Sequence, residues 1–121
     1  MNKNSFFRSF TFAFHGIVRA YKTQQNFKVH LLATFFAVVL ATILKVSPME
    51  WLWITLSIAL VLGAELMNTA IELLADRVSV ERHPLIRGAK DCAAGAVLLM
   101  AVFALVCGSV IFLPKIVKLL L

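Results

Sequence analysis

The chain has 121 residues, 61% of them hydrophobic and only 15% charged, with a mean hydropathy of +0.91. That length allows one domain, residues 1–121, and so few charged groups do not cover the surface of a water-soluble fold of this size. A net charge of +6 points to nucleic acid or to an anionic membrane surface; the basic residues flank apolar runs and form no stripe on a polar face, so nucleic acid is excluded and the bilayer is the solvent.

Residues 3–25 are predicted to form an amphipathic surface helix. Phe6, Phe7, Phe10, Phe14, Ile17 and Tyr21 recur at helical spacing, with Lys3, Arg8, Arg19 and Lys22 between them. That pattern suits a helix in the headgroup plane, or one packed on a membrane bundle. Residues 1–28 have no clean apolar core and no small-residue cleavage site, so no signal peptide is expected. A first span is predicted over residues 28–45, with Lys28 and an interfacial His30 at its polar start and Lys45 at its far end. It is close to the minimum for crossing, since about 20 apolar residues are normally required.

A tight turn follows. Ser47 is a fair N-cap and Pro48 suits the first position of the next helix. The second span is predicted over residues 49–78, anchored by Trp51 and Trp53 at an interface. A polar loop leads to a third span over residues 88–113, which Pro114 and Lys115 are expected to end. Cys92 and Cys107 lie about 22 Å apart along that one helix and cannot pair within the chain. The fold class is thus an all-α membrane protein, a surface helix plus three transmembrane helices. Nine of the twelve basic residues lie before span one or around the second loop. By the positive-inside rule the N-terminus and that loop face the cytoplasm.

The segment from Glu65 to Asp76 carries the most chemistry. Glu65, Asn68, Glu72 and Asp76 fall within an arc of about 80° on one helix face and form a stripe about 16 Å long. An ionisable residue near the centre of a span costs about 2.5–3.5 kcal/mol on insertion scales. A charged helix end with partners on its neighbours explains Asp76 and Arg77 well and Glu65 poorly. Glu65 lies about 21 Å along the helix from Trp51, within a hydrocarbon core about 30 Å thick. That depth matches a lipid hydroxyl, whose proton a carboxylate can accept. Glu72, two turns further out, can hold Mg²⁺ on nucleotide phosphates. Lys90 and Asp91 open span three at the same edge: Lys90 as a phosphate ligand or a snorkelling anchor, Asp91 as an acceptor or a contributor to the metal site. Gly88, Ala89, Cys92, Ala93, Gly95 and Ala96 let helices approach closely. His83, beside Glu81 and Arg82, suits a solvated loop or a nucleotide contact. No soluble-kinase phosphate loop, catalytic triad or zinc motif is present.

Glu65-x-x-Asn68-Thr69-Ala70-Ile71-Glu72-x-x-x-Asp76, followed by Ala89-Lys90-Asp91-x-Ala93-Ala94-Gly95-Ala96-Val97-Leu98, resembles the prokaryotic diacylglycerol kinase family. Gly16-Ile17 and Asn26-Phe27-Lys28-Val29-His30 resemble its Gram-positive branch of undecaprenol kinases. The resemblance spans nearly the whole chain. It implies a homotrimer in the bacterial cytoplasmic membrane, with active sites shared between subunits on the cytoplasmic side. It implies ATP- and Mg²⁺-dependent phosphorylation of a lipid alcohol, undecaprenol first and diacylglycerol second. By this resemblance Glu65 is the catalytic base, supported by Asn68. Arg8, Gln24, Glu72, Asp76, Glu81, Arg82, His83, Lys90 and Asp91 form the ATP site, and the metal falls to Glu72 and position 24. The family usually carries glutamate where this chain has Gln24, which offers an amide oxygen and no charge. Three consequences stand open: a metal held by one fewer carboxylate, an engineered substitution that traps a state, or low activity. Ser5 replaces a basic residue of some members, with Arg8 as its substitute. Outside enzymology, the stripe suits a small non-catalytic assembly protein whose polar face only joins helices; a channel or transporter fits less well, with so few spans.

Overall fold

A computed structural model of the chain describes residues 3–78 and 83–121. These form four helices: α1 Lys3–Thr23, α2 Gln25–Ile43, α3 Pro48–Val78 and α4 Pro84–Leu120. Three of them, α2, α3 and α4, are long and apolar enough to cross a membrane. At 31 and 37 residues, α3 and α4 extend about 46 and 55 Å and outreach a hydrocarbon core of about 30 Å.

The helix α3 is the hub. It packs along α4, more briefly against α2, and touches α1 near the α1–α2 junction. Most large apolar side chains still point outward, among them Phe35, Phe36, Leu52, Leu99 and Leu105. Apolar exposure on this scale requires lipid or further protein around the helices. The Phe side chains of α1 are exposed as well, and α1 docks chiefly through Ala20, which is fully buried.

The chain breaks between α1 and α2 at Gln24, whose extended backbone (φ −115, ψ 114) is the N-cap of α2. Its side chain makes no capping hydrogen bond and reaches α3 instead. The α2–α3 turn is closed on both sides. The N–H groups of Lys45 and Val46 donate to the carbonyls of Thr42 and Ala41, a Schellman motif with Lys45 at φ 53. Ser47 and Glu50 then form a reciprocal capping box at the start of α3, at 3.1 and 2.9 Å. The side chains of Ala41, Val46, Ile54 and Ile111 bury together beside this turn, with Trp51, Ile58 and Phe112 against them.

Two expected boundaries are corrected. The helix α4 begins at Pro84, inside the expected loop, because His83 caps it: the ring Nδ1 accepts the Leu85 N–H at 3.1 Å and Pro84 takes the first helical position. It also passes through Pro114 and runs to Leu120. Pro114 forgoes one backbone hydrogen bond, but the helix is fastened on both sides of it. Ile111 is buried in the turn cluster and Lys115 pairs with Glu50 at 2.7 Å. Proline is tolerated in membrane helices held this way.

Candidate active site

Helical spacing on α3 brings the polar stripe to one face, and burial then grades it. Glu65 is 1% exposed and Asn68 8%, Glu72 is half-buried, and Asp76 is exposed. The stripe thus enters the bundle obliquely, with its deepest carboxylate at Glu65. Behind it, Thr69 donates its hydroxyl to the Glu65 carbonyl at 2.9 Å, which ties off a polar group that would otherwise compete for the site.

Groups from α2 and from the α1–α2 junction meet the stripe. His30 Nε2 lies 3.4 Å from Glu65 Oε1. One step outward, Glu72 accepts from Asn68 Nδ2 at its Oε1 and from Gln24 Nε2 at its Oε2, both at 3.4 Å. Two buried oxygens stay without a hydrogen-bond partner among the described residues: Glu65 Oε2 and Asn68 Oδ1. Leaving a buried polar atom unpaired costs about 1–3 kcal/mol, more when it is charged. Such atoms, three residues apart on one face of α3, are acceptors open to a donor.

An apolar cavity of about 410 Å³ lies between α2, α3 and α4. Ala33, Ala37, Val61, Ala104 and Leu105 contribute to its walls, and His30 lines it too. Thr34 and Ser57 also face it, but their hydroxyls are bonded to their own helices at His30 O and Trp53 O. The imidazole of His30 therefore stands between an apolar space and a buried carboxylate.

The remaining expected site residues are divided. Lys90 on α4 forms an ion pair with Asp76 on α3, which brings the second sequence motif to the outer end of the stripe. Asp91 turns to Arg87 on its own helix at 3.2 Å, with both side chains exposed. His83 is engaged as the α4 cap. Arg8 lies on α1 about 24 Å of helix before Gln24, so one chain does not bring it to the cluster. Glu81 and Arg82 lie outside the described residues. Among the described residues no three His, Cys, Asp or Glu side chains are grouped to hold a metal by themselves. The structure adds a role for His30 that the sequence did not show: expected at the interface, it faces Glu65 from the neighbouring helix; the sequence signal was only a polar residue at the start of an apolar run.

A bundle of membrane-spanning helices with a buried carboxylate, next to a histidine that borders an apolar cavity, fits a class: enzymes that act on a membrane-dissolved substrate. Comparison with known proteins makes the class specific. Residues 11–112 match the family model described as prokaryotic diacylglycerol kinase. The chain is 41% identical to an undecaprenol kinase of Bacillus subtilis (strain 168), over 93% of this chain and 91% of that one. It is 37% identical to a diacylglycerol kinase of Synechocystis, over 93% of this chain and 65% of that one. A diacylglycerol kinase of Escherichia coli K12 is 32% identical over 78% of each. The chain belongs to the prokaryotic diacylglycerol kinase family and is a lipid kinase. The non-catalytic assembly reading falls with this membership.

Proposed function

We propose that this chain transfers the γ-phosphoryl group of ATP to the hydroxyl of a membrane lipid alcohol, with undecaprenol as the first acceptor and diacylglycerol as the second. The observation that carries the reading is the Oε2 of buried Glu65, without a hydrogen-bond partner among the described residues and next to a histidine that borders an apolar cavity. The identity to the Bacillus subtilis undecaprenol kinase supports the acceptor choice.

In this reading the lipid chain lies in apolar surroundings and its hydroxyl meets Glu65, which takes the proton as the oxygen attacks phosphorus. Asn68 orients the acceptor and Glu72 through its two amide-facing sides. Lys90 leaves its exposed partner Asp76 to neutralise phosphate charge, a small cost since exposed ion pairs contribute only ~0–1 kcal/mol. Phosphoryl transfer asks mainly for positioning and charge neutralisation. The donor set around Glu72 suits Mg²⁺ carried on ATP: one carboxylate, the Gln24 amide oxygen after a half-turn of its amide, and phosphates for the rest. When bound, Mg²⁺ supplies charge to the phosphates.

The exposed apolar faces and the distance of Arg8 from its own cluster support a homotrimer in which neighbours complete each site. The distribution of basic residues supports a cytoplasmic-membrane location with the site facing the cytoplasm. The test is a kinase assay on undecaprenol and on diacylglycerol in mixed micelles. Wild type is expected to favour undecaprenol, and Glu65→Gln to bind ATP without turnover. No phosphorylation of either lipid, by the wild type or with Gln24→Glu, sinks the reading.

A further inference from the structure

The two oxygens of Glu65 are not equivalent. Oε1 lies 3.4 Å from His30 Nε2, while Oε2 is buried with no hydrogen-bond partner among the described residues. The contact joins two helices, so α2 fixes how a carboxylate on α3 is turned. His30 is 24% exposed on its side chain and Glu65 1%, so the imidazole is the more open member of the pair. His30 also borders the apolar cavity between α2, α3 and α4. The Thr34 hydroxyl one turn along α2 is already spent on the His30 carbonyl at 2.8 Å, so it does not compete for the ring.

We propose that His30 is a positioning residue for the acceptor step: its Nε2–H holds Glu65 Oε1 from α2, so that Oε2 is the oxygen presented to the lipid hydroxyl. The inference rests on the lipid-kinase reading above. The acceptor O–H bond breaks and its proton goes to Glu65 Oε2. The acceptor oxygen forms its bond to the γ-phosphorus, and the bond from that phosphorus to the bridging oxygen breaks with its electron pair leaving on ADP. His30 forms no bond in this step. It removes one of the two orientations of the carboxylate and closes off the oxygen that faces α2. A donor at 3.4 Å in the unliganded site shortens when the reactants are in place, as catalytic hydrogen bonds commonly do. Misplacement of a reacting group by about 1 Å costs on the order of 10²-fold in rate, which sets the size of the effect.

The test compares His30→Leu, which fills the space without a donor, with His30→Gln, which returns an N–H at similar reach. In mixed micelles His30→Leu is expected to lower kcat on the order of 10²-fold while the KM for ATP stays within about twofold. His30→Gln is expected to recover about tenfold of that loss, and His30→Leu to add nothing to Glu65→Gln. In the full-length protein, the ¹⁵N resonance of the His30 ring is expected to shift on Glu65→Gln; this readout stands if the leucine variant fails to fold. Equal loss in the glutamine and leucine variants, a leucine variant with wild-type kcat, or an unmoved ring resonance overturns the positioning role. Wild type and Gln24→Glu both inactive on both lipids overturn the kinase reading itself.

Discussion

The two ends of α3 are built on opposite terms. At its start, around the α2–α3 turn, polar groups are paired: the Schellman bonds end α2, the Ser47–Glu50 box opens α3, and Lys115 takes the second Glu50 oxygen. Apolar side chains from α2, α3 and α4 seal that end. Around Glu65 the same helix leaves two oxygens buried and unpaired among the described residues, and the side-chain contacts of Glu65 and Glu72 there are at 3.4 Å. The first end holds the bundle together. The second tolerates unmet polar groups, as a site must if its substrates are to meet them.

Replacing Glu65 with Gln breaks the contrast most sharply. Lipid phosphorylation is expected to fall about 10²–10⁴-fold, the usual worth of a general base. Thermal unfolding in detergent is expected at an equal or higher temperature, because a buried and poorly paired charge is removed. A variant both inactive and less stable would place Glu65 with the structural end instead.

Gln24→Glu adds a second carboxylate facing Glu72. Without Mg²⁺ the two charges repel and stability drops; with it, half-maximal rate is expected at a Mg²⁺ concentration lower on the order of tenfold, about 1.4 kcal/mol in binding. Titration of the rate against Mg²⁺ measures this, and an unchanged midpoint removes position 24 from the metal's surroundings.

Changes at the turn should touch stability alone. Ser47→Ala loses a cap and is expected to cost about 1 kcal/mol, with kcat within twofold of wild type. The smallest effect is expected from Lys45→Gly. Lys45 holds a left-handed backbone that glycine adopts without strain. The variant should gain up to ~1 kcal/mol in unfolding measurements and nothing in rate.

Much of this is legible in the sequence. Apolar runs of spanning length gave the helices, since a bilayer admits little else, and the 3.6-residue period gave the stripe from Glu65 to Asp76. The box at Ser47 and Glu50 was half read: the cap is visible in the residues, its reciprocal bond from Glu50 was missed. The ends of α4 differ from expectation because the polar residues ahead of residue 88 read as loop and Pro114 reads as a stop. Pro84 starts the helix under a histidine cap, and Pro114 is overridden by Ile111 and Lys115, whose partners lie on other helices.

The sequence by itself determined an all-α membrane chain and which carboxylates share a face, because those follow from composition, period and spacing along one helix; the family was legible only as a resemblance of two motifs. The tertiary structure decided what stands opposite that face. His30 and Gln24 reach Glu65 and Glu72 across gaps of 35 and 48 residues, and Lys90 reaches Asp76 from α4. No local rule joins such positions. They meet because α2 and α4 both pack on α3, and burial then separates a closed Glu65 from an exposed Asp76 on one stripe.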